Sequence, residues 1–279
     1  SLRPVYMRVI EYSRAMGLDM IQGDHEDAPG QLELNTNFDD CLKNADRLTT
    51  YRQICAQVAR EFGLIACFMS KPFMGVSANG CHTNVSLWKG GDLKSTPIGN
   101  DPLPGMEQVF THISGGENMF MPDPKIDAVK PGPVGLQSIA GLLKHLPALT
   151  CLGSPTVNSY RRLWDTGFWA PVYADWGYQN RTCSVRVSAP GRVEYRSVDS
   201  THNPYLMGAG ILKAFEDGLE NKLDPGEPEK QNIYEAMKGG KKVQKLPLTL
   251  EQSLSHLSKS KVLQNAFGKD VINSYIKLK

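Results

Sequence analysis

The chain has 279 residues, 41% hydrophobic and 22% charged, the balance of a globular protein with a substantial core in one large domain or two. A formal net charge of +2 argues against nucleic-acid binding driven by bulk electrostatics. No apolar run reaches the roughly 18–20 residues that span a bilayer, and the first residues carry no signal-peptide pattern. Cys41, Cys55, Cys67, Cys81, Cys151 and Cys183 are scattered without a CxxC pair. Neither a zinc site nor a disulfide framework is signalled, and reduced thiols in a cytoplasmic setting are expected.

Pro4–Met16 is expected to form an amphipathic helix closed by Gly17. LDMIQGDHE is strand-like. GQLELNTN alternates, with Leu32 and Leu34 on one face and Gln31, Glu33 and Asn35 on the other. Asp39 or Asp40 can cap a long helix through Phe62, with Gly63 at its end. LIACFM reads as a buried strand. The turn-rich KPFMGVSANG leads into CHTNVSLW, where His82, Asn84 and Ser86 share one strand face and Cys81, Val85 and Leu87 take the other. Glycine and proline accumulate from Lys89 to Pro133, the mark of a long surface excursion. GLQSIAGLLKH is a helix that Pro147 bends or divides. Strands are expected near 170–176, 182–188 and 192–198, then a helix opened by Asn203 and Pro204, then short amphipathic helices and turns. Strands interleaved with long helices indicate an α+β or mixed α/β layer structure.

In GRVEYRSVD, Arg192, Glu194 and Arg196 alternate with Val193 and Tyr195, so a period of two gathers two guanidinium groups and a carboxylate on one face. Glu26 and Glu33 flank the turn-prone APG and can converge if their segments pair, supplying oxygens to a hard divalent ion; equally, they are ordinary surface carboxylates. His82 is either a structural histidine or a ligand raised on a polar strand face. Arg161, Arg162, Arg181 and Arg186 are solvated singly, or together form an anion site, since guanidinium forks match carboxylate and phosphate. Taken together, these residues point to metal-assisted phosphoryl chemistry on an acidic substrate.

Five ordered segments carry a resemblance: EDAPGQLELN, KPFMGVSANGCHTNVSL, SPTVNSYRRL, NRTCSVRV and GRVEYRSVDSTHNPYL. In order and content they resemble the catalytic domain of the glutamine synthetase family. Within it, HEDAPGQ, the tryptophan of GFWAP and GRVEYRSVD look most like the glutamate–methylamine ligase (gamma-glutamylmethylamide synthetase) and type III-like branch. The resemblance implies an α+β fold with a curved, mainly antiparallel sheet backed by helices, as one catalytic domain over residues 1–279. It implies ligation of the L-glutamate γ-carboxylate to ammonia or a small alkylamine such as methylamine, with ATP as co-substrate and Mg²⁺ or Mn²⁺ as cofactor. Self-assembly in stacked rings is implied for the full-length form.

Residue by residue, the resemblance makes Glu26, Glu33, His82 and Glu194 metal ligands, the first two for one ion and the others for a second. Arg162 and Arg196 would hold glutamate and its activated γ-group, with Ala78 to Gly80 close to the amino-acid backbone and His82 beside it. Arg181, Arg186 and Arg192 would line the nucleotide phosphates, with Asn84, Ser86 and Phe38 nearer the nucleoside; Arg162, Arg181, Arg196 and Trp169 form the implied catalytic set.

The sequence also departs from the family pattern. The family's small N-terminal β-rich domain and the first catalytic strand, with its E-x-E motif, have no counterpart in the sequence. Asn84 stands where many members carry a second histidine, and Ser77 where asparagine is common. Trp169 stands where glutamine synthetases have a glutamate in a flap; an indole offers an apolar wall and a π face to an alkylammonium. A non-catalytic relative that keeps the ring-forming fold is the rival of a different class.

Overall fold

The computed structural model describes residues 2–100, 107–123, 125, 129–164 and 169–279, with the backbone alone over 95–100 and 107–110. Gly167 and Phe168 of the GFWAP flap lie outside the described residues. The chain divides into two units, residues 1–67 with 90–117, and residues 68–89 with 118–279.

In the first unit a helix, Arg3–Ala15, ends where Gly17 takes a φ of +77°, as its position in the sequence predicts. Met20–His25 and Leu32–Thr36 pair antiparallel, with Asp24 opposite Glu33. The turn between them is built by Pro29 and by Gly30 at φ +76°, and the Gln31 N–H donates to the Ala28 carbonyl at 2.9 Å. This is the order of residues a type II turn requires. Cys41–Glu61 is a helix whose Asp40 side chain accepts the Lys43 N–H, so Asp40 rather than Asp39 is the cap. Val9, Ile10, Leu18, Met20, Ile54 and Val58 form this unit's core.

The expected surface excursion contains a hairpin instead: Asp92–Asn100 pairs antiparallel with Glu107–Ser114. Gly90, Gly91 and Gly115 take positive φ at its open end, and the register slips between Pro97 and Gly99, where proline removes a ladder donor. Asp19 joins the two hairpins, accepting from Asn37 Nδ2 at 2.9 Å and Thr111 Oγ1 at 2.8 Å. LIACFM is no strand: residues 64–69 have no regular structure, and Ile65 is 92% exposed. The side chain of Asn79 donates to the carbonyls of Phe68 and Met69, so a loop contact stands where a sheet partner was expected.

The second unit is organised by a four-stranded sheet in the order Thr83–Val85, Arg192–Tyr195, Val185–Ala189, Trp176–Tyr178. The first two junctions are antiparallel and the last is parallel. The strand expected over 170–176 therefore begins at the end of that range, preceded by a single bridge between Tyr173 and Lys245. Pro147 lies inside an unbroken helix, Pro133–Gly153, and does not divide it. That helix packs against Pro204–Glu220, which Asn203 caps as the sequence implies. Leu142, Leu146, Leu149, Ile211, Phe215, Val185, Val193 and Tyr195 share one core between these helices and the sheet. The helices meet at backbone distance: a Cβ at Gly141 would stand 1.9 Å from the Ala214 carbonyl oxygen, and one at Gly218 2.1 Å from that of Gln137. Three short helices, Leu250–Lys259, Lys261–Phe267 and Lys269–Leu278, complete the unit. None of the six cysteines forms a disulfide. Among the described residues no helix is long and apolar enough to cross a membrane.

Candidate active site

Alternation along the Arg192–Tyr195 strand sorts its side chains between two environments. Val193 and Tyr195 are fully buried on the core side, while Glu194 and then Arg196 are buried among charge on the other. Glu194 lies between two guanidinium groups, its Oε1 accepting from Arg196 Nη1 at 2.9 Å and its Oε2 from Arg186 Nη1 at 3.1 Å. Arg186 stands directly across the ladder from Glu194, and its Nη2 donates to Gln179 Oε1 at 2.6 Å. Arg162, on the helix Val157–Trp164, donates through Nη2 to the Arg196 backbone carbonyl at 3.2 Å. Two cations thus flank one carboxylate and a third adjoins them through the Arg196 backbone, and Arg162 Nη1, Arg186 Nε and Arg196 Nε are buried without a partner. Such donors suit a bound anion. Burial pulls Arg162 down to about 10, with Arg196 adding to the effect and Asp199 opposing it, so it stays charged at neutral pH. Burial also lowers Arg196, against the pull of Glu194.

His82 stands just before the neighbouring strand, in which Asn84 is in register with Glu194. The strand spans only Thr83–Val85, so His82 and Ser86 flank it rather than share its face with Asn84. The Nδ1 of His82 is 3.4 Å from both Glu194 Oε1 and Arg196 Nη1. Burial, followed by the charges of Arg196, Arg162, Arg186 and Arg181, holds the imidazole well below the usual histidine range. About a third of the side chain, 34%, still meets solvent, which softens the desolvation, but all four arginines act in the same direction. The ring is therefore neutral at pH 7 and keeps a lone pair for a ligand. A Cβ at Gly80 would come within 2.6 Å of His82 Nε2, so a side chain there would displace the ring.

The expected residues divide into groups. His82, Arg162, Arg186, Glu194 and Arg196 form one cluster. Arg181 is exposed on a turn and acts on the cluster through its charge. Trp169 is 54% exposed, at a φ of +62°, and its carbonyl accepts a long bond from Arg196 Nη2 at 3.4 Å. Arg192 is exposed beyond a register shift, Asn84 is exposed, and Ser86 Oγ accepts from Trp88 Nε1 at 2.9 Å. Ala78 is half-buried in the loop before His82. Glu26, Glu33 and Phe38 belong to the first unit. The hairpin register puts Glu26 and Glu33 on one face there, both exposed, and Glu26 accepts the Asp27 N–H at 3.1 Å.

One imidazole and one carboxylate fit a divalent cation as two of its donors. No group of three or more His, Cys, Asp or Glu converges on one point among the described residues, so water, substrate oxygens or other groups would complete the shell. Sequence reasoning missed Gln179, which steadies Arg186, and the side chains of Asn79 and Asn158, whose hydrogen bonds cross 121 and 87 positions. The quoted motifs contained both asparagines, but no spacing rule singles them out.

An α+β unit with a net-positive cluster of buried guanidinium donors offers a site whose charge suits an anion. The family model described as "Glutamine synthetase, catalytic domain" matches residues 1–123 and 105–279. The chain belongs to the glutamine synthetase family. It is 35% identical over 284 residues to a glutamine synthetase of Pyrococcus furiosus, covering 99% of this chain and 57% of that protein. It is 36% identical over 280 residues to a glutamate–methylamine ligase of Methyloversatilis universalis, covering 98% of this chain and 57% of that protein. A solved structure described as "GmaS/ADP complex-Conformation 1" superposes with a TM-score of 0.82 at 32% identity, over 99% of this chain and 59% of that one. The chain thus spans less than two thirds of the length of these relatives.

Proposed function

We propose that this chain carries the anion-handling half of an ATP-dependent glutamate–amine ligase, with a primary alkylamine such as methylamine as the preferred nucleophile. The observation that carries the reading is the cluster in which Arg186 and Arg196 flank Glu194, Arg162 bonds the Arg196 carbonyl, and all three leave guanidinium donors unused. A carboxylate is a poor acyl donor because its oxygen will not leave. In the proposed reaction a γ-carboxylate oxygen of glutamate attacks the γ-phosphorus of ATP, and ADP departs with the electron pair of the broken P–O bond. The amine then adds to the acyl carbon, phosphate leaves with the C–O electron pair, and the nitrogen gives up a proton.

Arg162 and Arg196 are placed to neutralise the two anions that must approach each other, and Arg186 the phosphates, at a site already largely desolvated. His82 and Glu194 would hold a divalent ion, which supplies further charge neutralisation. Trp169 offers an exposed indole where an N-alkyl group can pack. Relatives named for ammonia-type and methylamine-type ligation match about equally well, 35% and 36%, which keeps ammonia as the second reading.

ADP release measured with glutamate and each amine separates the readings. A kcat/KM for methylamine at least about tenfold above that for ammonia supports the alkylamine; tenfold corresponds to about 1.4 kcal/mol, within reach of one apolar contact. The reverse preference selects ammonia. No glutamate-dependent release with either amine, together with no thermal shift on adding Mg²⁺ and ATP, overturns the ligase reading.

A further inference from the structure

The loop from Lys71 to Gly80 is anchored at both ends by amide side chains. At its start, Lys71 N–H donates to Asn158 Oδ1 at 2.8 Å and Asn158 Nδ2 donates back to the Lys71 carbonyl at 2.9 Å. A single side chain thereby copies the two-bond pairing of a β-ladder and sets both the distance and the rotation of the loop. At its end, Asn79 Oδ1 accepts the Ser200 N–H at 3.0 Å, four positions after Arg196. Asn158 and Arg162 are four apart on one short helix and so share a face. The Lys71 side chain is also 1% exposed, and its ammonium donates to the Val76 carbonyl inside the loop. Lysine is rarely so deeply buried, because desolvating an ammonium is costly, and an apolar residue would fill the space at less cost if packing alone were needed.

We propose that Asn158 and Lys71 are positioning residues for the amino-acid subsite: they lock the Lys71–Gly80 loop to the helix bearing Arg162, so that loop backbone and guanidinium meet one substrate as a unit. This rests on the reading that glutamate binds here, with Ala78 to Gly80 beside its backbone. Neither residue touches the reacting atoms. Their effect is on where the loop stands, and it falls on glutamate rather than on nucleotide.

The test compares the full chain with Asn158→Ala, reading amide hydrogen exchange over residues 71–80 and 204–220 and, by ADP release, the KM for glutamate, the KM for ATP and kcat. The expected result is exchange about tenfold faster in 71–80 with 204–220 unchanged, as for a local opening. Glutamate KM should rise about tenfold, the equivalent of one or two lost hydrogen bonds, while ATP KM stays within about twofold. Asn158→Asp, which keeps the acceptor for Lys71 N–H, should recover part of the loss. Unchanged exchange in the loop, or equal rises in both KM values, overturns the proposal. If Asn158→Ala does not fold, Lys71→Met, which keeps the buried stem and removes the bond to Val76, should shift the same readings in the same direction, and no shift overturns the proposal. Faster loop exchange in the variant, where the unsubstituted chain shows neither glutamate-dependent ADP release nor a thermal shift with Mg²⁺ and ATP, overturns the ligase reading and supports the anchor itself.

Discussion

The carboxylate of Glu194 and those of the Met20–Thr36 hairpin are presented in opposite ways. Glu194 is 6% exposed and arrives already neutralised by two arginines drawn from two strands. Glu26 and Glu33 stand exposed on a two-stranded ribbon in the other unit. Asp175 makes a third case: 7% exposed, its Oδ1 accepts the Ser184 N–H at 3.1 Å while Oδ2 has no partner. Burial pushes its carboxyl up to about 7, against the hydrogen bonds from Ser184 and Cys183. The fold thus meets one buried acid, Glu194, with two guanidinium groups and the other, Asp175, with a backbone N–H.

The strongest test of this contrast is Arg196→Met. Removing one partner from a buried ion pair is expected to lower stability by about 3–5 kcal/mol and to cut glutamate-dependent ADP release by roughly 10²–10³. Urea denaturation reads the first effect, and a loss under 1 kcal/mol would show that Glu194 does not depend on its arginines.

Asp175→Asn is expected to act next most strongly, through pH. A carboxyl raised in the folded state remains protonated while the unfolded chain ionises, so the wild type loses stability as pH rises from about 4 to about 7 and levels off above. The asparagine variant lacks this slope and should gain on the order of 4 kcal/mol relative to wild type across that window. Parallel urea midpoints at pH 4 and 8 check it, and equal slopes for the two proteins would refute it.

The smallest effect on stability belongs to Glu33→Gln, within about 0.5 kcal/mol of wild type because the residue is exposed. The thermal shift on adding Mg²⁺ with ATP should nonetheless shrink. A stability loss as large as that of Arg196→Met would erase the distinction between the two regions.

The same contrast governs what could be read in advance. Val193–Tyr195 against Glu194–Arg196 was legible because a period of two assigns faces without knowledge of the partner strand. The APG turn was legible because its geometry is written in proline and glycine. LIACFM was misread because a short apolar run carries no record of whether another strand will pair with it. The Asp92–Ser114 hairpin was hidden by glycines that mark its open end rather than its absence. The Asn158 bond to Lys71 spans 87 positions, and long-range side-chain bonds leave no periodic trace. Of the residues assigned to the site by resemblance, five form one cluster in the second unit.

Trp169 sets one last boundary, through its backbone rather than its ring. A φ of +62° is left-handed territory that β-branched side chains scarcely tolerate and that glycine, asparagine and aspartate enter most readily. Anyone recruiting new amines by randomising this codon would therefore find valine, isoleucine and threonine missing among the active clones, whatever their fit to the incoming alkyl chain.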